Sequence, residues 1–153
     1  PGSAFVATDE VMSVFTPGDH GSTFGGNPLA AAVGLEALAV LFDEGLIERS
    51  ATLGAHLLAA LREIRSPLIR DVRGRGLFWA IELVKDRASK TPAKEETNAV
   101  TQKAYERGLL TITAGTYGNI LRTLMPLVIT DEELREGLDV LEASLAAVQG
   151  ARA

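Results

Sequence analysis

Leu29, Val33, Ala37, Leu38 and Leu41 recur at helical spacing, and Asn27-Pro28 ahead of them supplies a preferred cap followed by a residue pre-set for the first helical position. A helix is therefore expected from Asn27, with Gly45 as its stop. A second is predicted over residues 47–64, where Leu53, Leu57, Leu61 and Ile64 form one stripe before Ser66-Pro67 ends it. From Asp71 onward the chain reads as a separate small unit. Residues 77–84, Leu-Phe-Trp-Ala-Ile-Glu-Leu-Val, are β-rich and nearly all apolar, which predicts a strand covered on both faces with Glu82 as the one polar position. Residues 85–96 mix both charge signs around one proline and read as a solvated loop. A short helix is expected over 97–107, stopped by Gly108. Two strands follow over 109–113 and 120–125, joined by a glycine-rich connection of hairpin length at 114–119. Thr130-Asp131-Glu132-Glu133 matches a capping box, and Leu134, Leu138, Leu141, Leu145 and Val148 behind it make the clearest amphipathic helix in the chain. The second half thus reads β-α-β-β-α. The first 26 residues are apolar but broken by Pro1, Gly2, Pro17, Gly18, Gly21, Gly25 and Gly26, with a possible strand at 4–7, and cannot form a hydrophobic unit alone.

Composition narrows the class. At 46% hydrophobic and 23% charged, the 153 residues lie in the ordinary range of folded domains. Fifteen Lys and Arg against 20 Asp and Glu give a formal charge of −5, which argues against nucleic acid or an anionic membrane as partner, since both reward basic excess. With no cysteine, a disulfide framework, a thiolate zinc site and a cysteine nucleophile are all excluded, and a reducing compartment, the cytoplasm, is the expected location. Two histidines leave little room for a metal centre, and none is expected. No run of about 18 apolar residues appears, and Pro1-Gly2-Ser3-Ala4-Phe5 has neither an initiating Met nor a basic leader, so the chain reads as an internal piece of a longer protein.

The densest chemical signal is Asp19-His20-Gly21-Ser22-Thr23-Phe24-Gly25-Gly26-Asn27-Pro28. Glycines permit close backbone approach, two adjacent hydroxyls can donate, and a helix N-terminus follows, so a phosphate-like anion could be held at Ser22 and Thr23. A plain connector whose Ser, Thr and Asn cap the next helix stays open beside it. The segment is not a Walker loop, because no Lys follows its glycines, and no Gly-x-Ser-x-Gly elbow occurs in the chain. Arg73-Gly74-Arg75-Gly76 imitates a dinucleotide fingerprint, yet Trp79 stands where the third glycine belongs and the run precedes a strand, so it is read as a sharp turn with solvated arginines. In Ile120-Leu121-Arg122-Thr123-Leu124, alternation places Arg122 on one face with Ile120 and Leu124, just before Pro126. A guanidinium there suits capture of a carboxylate, although an exposed edge-strand arginine explains the pattern as well. His56 reads as a helix-surface residue, and Glu82 is assigned no role.

These residues carry a resemblance. Residues 14–30, including His20-Gly21-Ser22-Thr23-Phe24-Gly25-Gly26-Asn27-Pro28, resemble the segment that follows the cofactor lysine in class III aminotransferases. The likeness runs on through Asp71-Val72-Arg73-Gly74-Arg75-Gly76-Leu77 and Asn119-Ile120-Leu121-Arg122 to the final helix, so it spans essentially the whole chain. Residues 14–83 are nearer the ornithine branch of that family and 97–147 nearer the 4-aminobutyrate branch. The resemblance implies the C-terminal portion of an α/β, fold type I enzyme dependent on pyridoxal 5'-phosphate. Its parts would be the end of the large domain (1–26), connecting helices (27–66) and an α+β small domain (67–150). It implies a homodimer in which Ser22 and Thr23 contact the cofactor phosphate of the other subunit, while Arg122 grips the carboxylate of glutamate or 2-oxoglutarate. The expected reaction moves an ω-amino group from 4-aminobutyrate, or alternatively ornithine, to 2-oxoglutarate. No catalytic residue is expected within the chain, because the lysine that binds the cofactor should precede Pro1 and the aspartate for the ring nitrogen lies further upstream. Lys85, Lys90, Lys94 and Lys103 sit in a charged stretch and do not replace it, so the piece alone is expected to be inactive. The alternative of another class is a non-catalytic α+β module with the Ala-rich helix after Asn27 as its dimer face.

Overall fold

The structure, a computed structural model, describes residues 3–150 and divides into two units, 1–45 and 46–153. The first holds a single turn of helix, α1 (Asp9–Met12), and the long α2 (Pro28–Asp43). Asn27 caps α2 as its sequence predicts: its side-chain oxygen accepts from the Ala30 amide at 3.0 Å, while its amide group donates to the Phe24 carbonyl at 2.8 Å. No residue of α2 is buried, and Leu29, Val33, Leu35, Leu38 and Phe42 are all more than half exposed. The strand considered at 4–7 does not form; those residues are irregular.

The second unit is a two-layer α+β structure. It begins with α3 (Leu46–Glu63) and continues through β1 (Ile69–Arg75), β2 (Phe78–Asp86), the two-residue β3 (Thr91–Pro92), α4 (Lys94–Tyr105), β4 (Ile112–Ala114), β5 (Ile120–Arg122) and α5 (Asp131–Gly150). The sheet is antiparallel throughout, in the order β1-β2-β5-β4, with β3 on β2. Leu53, Leu57 and Leu61 of α3, Val100 of α4 and Leu141 and Leu145 of α5 close on Trp79, Ile81 and Leu83 of β2 and on Leu121 of β5. The Thr130–Glu133 box starts α5 as expected: Glu133 accepts from the Thr130 amide and hydroxyl, each at 2.8 Å, and the Glu133 amide donates back to that hydroxyl. Those two donors hold the Glu133 carboxyl below the ordinary range. Among the described residues no helix is long and apolar enough to cross a membrane.

Several expectations are corrected. β2 is buried on one face only: Trp79, Ile81 and Leu83 point into the core while Phe78, Ala80 and Glu82 alternate away from it, as an antiparallel strand with helices on one side requires. The Arg73–Gly76 run is not merely a turn, because Arg73, Gly74 and Arg75 are the end of β1, a strand the sequence reading omitted, and the chain reverses at Gly76-Leu77. The solvated loop at 85–96 is mostly structured. β2 runs to Asp86, Thr91–Pro92 pairs with it, and α4 starts at Lys94 rather than 97. Arg87 is tied down too, donating to the carbonyls of Ser66 at 3.1 Å and Ile69 at 2.8 Å. The order is therefore β-β-β-α-β-β-α after α3.

Gly54 explains how closely α3 approaches the β1–β2 turn. A Cβ placed there would sit inside the van der Waals shell of the Gly76 carbonyl, a backbone group that cannot swing aside. Helix propensity alone would make Gly54→Ala stabilising by about 1 kcal/mol. Overpacking costs about 1–3 kcal/mol when backbone must shift, and at so close an approach the upper end applies, so we expect Gly54→Ala to lower the unfolding free energy by about 2 kcal/mol, read from the urea midpoint.

Candidate functional site

Two sets of candidate residues lie in different units. In the first unit the loop before α2 is held by local bonds. Asp19 accepts from the Thr16 amide at 2.7 Å and the Thr16 hydroxyl at 2.9 Å, and these donors keep its carboxyl below the ordinary range. The Ser22 hydroxyl oxygen accepts from the Gly25 amide at 2.9 Å. That bond uses a lone pair and leaves the hydroxyl proton available. Thr23 has no hydrogen-bond partner among the described residues, and both side chains are exposed. A Cβ at Gly25 would meet Ser22 Cβ and Oγ at 2.9 Å, so glycine is needed there for the hydroxyl to keep its place. Two adjacent hydroxyl donors ahead of a 16-residue helix fit an anionic phosphate.

In the second unit Arg122 is the last residue of β5, paired in register with Ala80 on β2 and Ile112 on β4. Its neighbours clamp it. Asn119, buried before the strand, donates from its side chain to the Leu83 carbonyl at 2.8 Å while its own carbonyl accepts from the Leu83 amide. After the strand, the Thr123 hydroxyl accepts from the Trp79 amide at 3.0 Å and donates to the Leu77 carbonyl at 3.1 Å. Sequence reading missed both, although an Asn before a strand and a Thr after one are signals for such pinning. As alternation predicts, Arg122 shares a face with Ile120; Leu124, expected beside them, lies past the strand end and is exposed.

The Arg122 guanidinium carbon lies 5.7 Å from the centre of the Phe78 ring, within the range of a cation–π contact. Its Nε is buried without a hydrogen-bond partner, and no carboxylate pairs with it among the described residues. The half-buried side chain is thus an unpaired cation with an unused donor, a state that favours an incoming carboxylate.

On the same face of the sheet, Glu82 accepts from Arg70 at 2.8 Å and Arg73 at 2.9 Å, and Arg73 also holds Asp71 at 2.7 Å. Arg73 of the 73–76 run is therefore not simply solvated, whereas Arg75 is exposed as expected. Burial pushes the Glu82 carboxyl up, but the two guanidinium hydrogen bonds and charges outweigh it and leave the group below its ordinary range. His56 and His20 are exposed, and Lys85 and Lys103 pair with Glu95 and Glu106.

The family model described as "Aminotransferase class-III" matches residues 1–145. The chain belongs to the class III aminotransferases. Class III enzymes depend on pyridoxal phosphate, and the observed α/β architecture agrees with the C-terminal portion of fold type I. An ornithine aminotransferase of an Exiguobacterium species is 47% identical over 95% of this chain and 34% of its own length. One from Staphylococcus carnosus is 46% identical over 91% of this chain and 32% of its own. Among solved structures, an ornithine aminotransferase from Toxoplasma gondii, described with partial occupancy of PLP at its active site, superposes with a TM-score of 0.75 at 44% identity, covering 94% of this chain and 32% of that one. A Bacillus anthracis aminotransferase gives 0.78 at 38%, covering 84% and 30%. This class III chain spans about a third of the length of these relatives.

Because the folded state lowers the Glu82 pKa, its ion pairs add stability above the ordinary carboxyl range, and that contribution is lost as pH falls through the lowered value. Glu82→Gln should therefore flatten the drop in melting temperature from about pH 5 downward, while lowering stability at neutral pH.

Proposed function

We propose that the chain is the C-terminal part of an ω-amino acid aminotransferase that passes the amino group of ornithine to 2-oxoglutarate. In this reading Arg122 receives the carboxylate of the oxo acid, and Ser22 and Thr23 receive the cofactor phosphate of a second copy. Support comes chiefly from one observation, the half-buried Arg122 guanidinium with an unused buried Nε and no carboxylate of its own among the described residues. Pyridoxal phosphate, when bound, supplies the electron sink for nitrogen exchange. This chain's residues orient and neutralise. Arg122 offers a charged, directional donor to a planar carboxylate, and Phe78 beneath it limits where the guanidinium can point. The Ser22 and Thr23 hydroxyls donate to phosphate oxygens, and Gly25 keeps the first of them in place.

Ornithine is preferred to 4-aminobutyrate because relatives matched over nine-tenths of this chain carry the ornithine name. A homodimer is supported by α2, whose Leu29, Val33, Leu35, Leu38 and Phe42 are exposed on more than one side of the helix, an arrangement that water alone does not favour. We place the lysine that binds the cofactor outside this sequence, since Lys85 and Lys103 are engaged in ion pairs and Lys90 and Lys94 are exposed. The isolated piece should then have no transaminase activity, and the enzyme works in a reducing compartment such as the cytoplasm.

In the complete enzyme, Arg122→Ala should raise KM for 2-oxoglutarate about thirtyfold, the equivalent of about 2 kcal/mol for a partly desolvated charge pair. Unchanged kinetics would refute the role. Thr23→Ala should weaken cofactor retention by about 1.5–3 kcal/mol, one charge-assisted hydrogen bond, measured by equilibrium dialysis of the cofactor.

A further inference from the structure

The sheet face that carries Arg122 also carries a carboxylate within reach of it. β5 pairs with β2 so that Arg122 stands opposite Ala80 and Ile120 opposite Glu82. Glu82 and Arg122 are thus diagonal neighbours on one face, a relation that puts Cα atoms about 7–8 Å apart and lets long side chains meet. Ala80, opposite Arg122, has no bulk to separate them. Left to themselves, a glutamate and an arginine so placed would pair, and the guanidinium would be neutralised from within.

They do not pair, and the structure shows what draws each away. Glu82 turns toward β1, where Arg70 takes one carboxylate oxygen at 2.8 Å and Arg73 the other at 2.9 Å. Arg73 also engages Asp71, the other acid of this corner, at 2.7 Å. Arg122 turns the opposite way along β2, to the ring of Phe78. Glu82 is mostly buried, with a side-chain exposure of 17%, so its two partners hold it in a setting that bulk water screens only in part.

We propose that Arg70 and Arg73 are positioning residues of the carboxylate site, holding Glu82 on the β1 side of the sheet so that Arg122 stays open to a substrate carboxylate. This rests on the reading that Arg122 takes that carboxylate. Arg73→Gln frees one oxygen of Glu82 to compete for Arg122. A cross-strand pair of opposite charge is worth a few tenths to about 1 kcal/mol, so KM for 2-oxoglutarate should rise about two- to fivefold with kcat unchanged. Arg73→Gln combined with Glu82→Gln removes the competitor and should return KM to the parent value, which a merely structural defect would not do. Arg70→Gln, releasing the other oxygen, serves as a second variant if Arg73→Gln reduces the yield of folded enzyme, and it should show the same rise and the same rescue. All are measured in the complete enzyme by steady-state kinetics, with 2-oxoglutarate affinity from calorimetry as a second readout. A parent KM in both single variants, or a raised KM that Glu82→Gln fails to rescue, would overturn the proposal. Arg122→Ala separates the two levels. If it raises KM while the β1 variants do not, only the positioning role falls; if it leaves KM unchanged, the carboxylate reading falls and the positioning role with it.

Discussion

The register between β2 and β5 decides what Arg122 can reach, and that register is imposed from both ends of a three-residue strand by side chains rather than by the strand's own length. Three ladder positions offer little resistance to slipping, and a slip of one residue would turn Arg122 into the hydrophobic core and Leu121 out of it. Asn119 and Thr123 prevent this by bonding to Leu83, Trp79 and Leu77, residues of the best-buried stretch of the unit. Burial of Trp79, Ile81 and Leu83 against the helices then has a second effect. It assigns Ala80 and Glu82 to the opposite face and so defines the neighbourhood of the guanidinium.

On that face the electrostatics are divided between a saturated corner and an unsaturated one. Arg70, Arg73, Asp71 and Glu82 satisfy one another, whereas among the described residues Arg122 has only an aromatic ring, whose attraction for a cation is weaker than that of a carboxylate. A charge held in this way costs stability in the absence of a ligand and returns it on binding, which is the usual economy of recognition sites. The loop before α2 follows a milder version of the same rule. Ser22 spends a lone pair on Gly25 and retains a proton to give.

Local chemistry was the most legible part of the chain. The Asn27 cap and the Thr130–Glu133 box need only residues three apart, and both appear as expected. The Arg122–Ile120 face followed from period-two alternation. β1 was missed because Ile-Arg-Asp-Val-Arg-Gly-Arg lacks a hydrophobic alternation, and its outer face is satisfied instead by ion pairs with Glu82, a partner 9 to 12 residues away. The two-sided burial expected for β2 failed for a related reason. Phe78 and Ala80 are apolar by type yet lie on the outer face, and composition does not record which side a helix covers. The loop hydroxyls drew notice from their glycines and the helix behind them, but that pattern is too common before helices to choose between a phosphate site and a plain connector.

The exposed leucines, valines and phenylalanine of α2 bear on how this stretch of chain would behave by itself. Sixteen residues of helix with no buried position hold apolar side chains toward water on more than one side of the helix. Copies meeting in dilute solution would therefore adhere along it, and colloidal behaviour would depend on concentration before unfolding played any part.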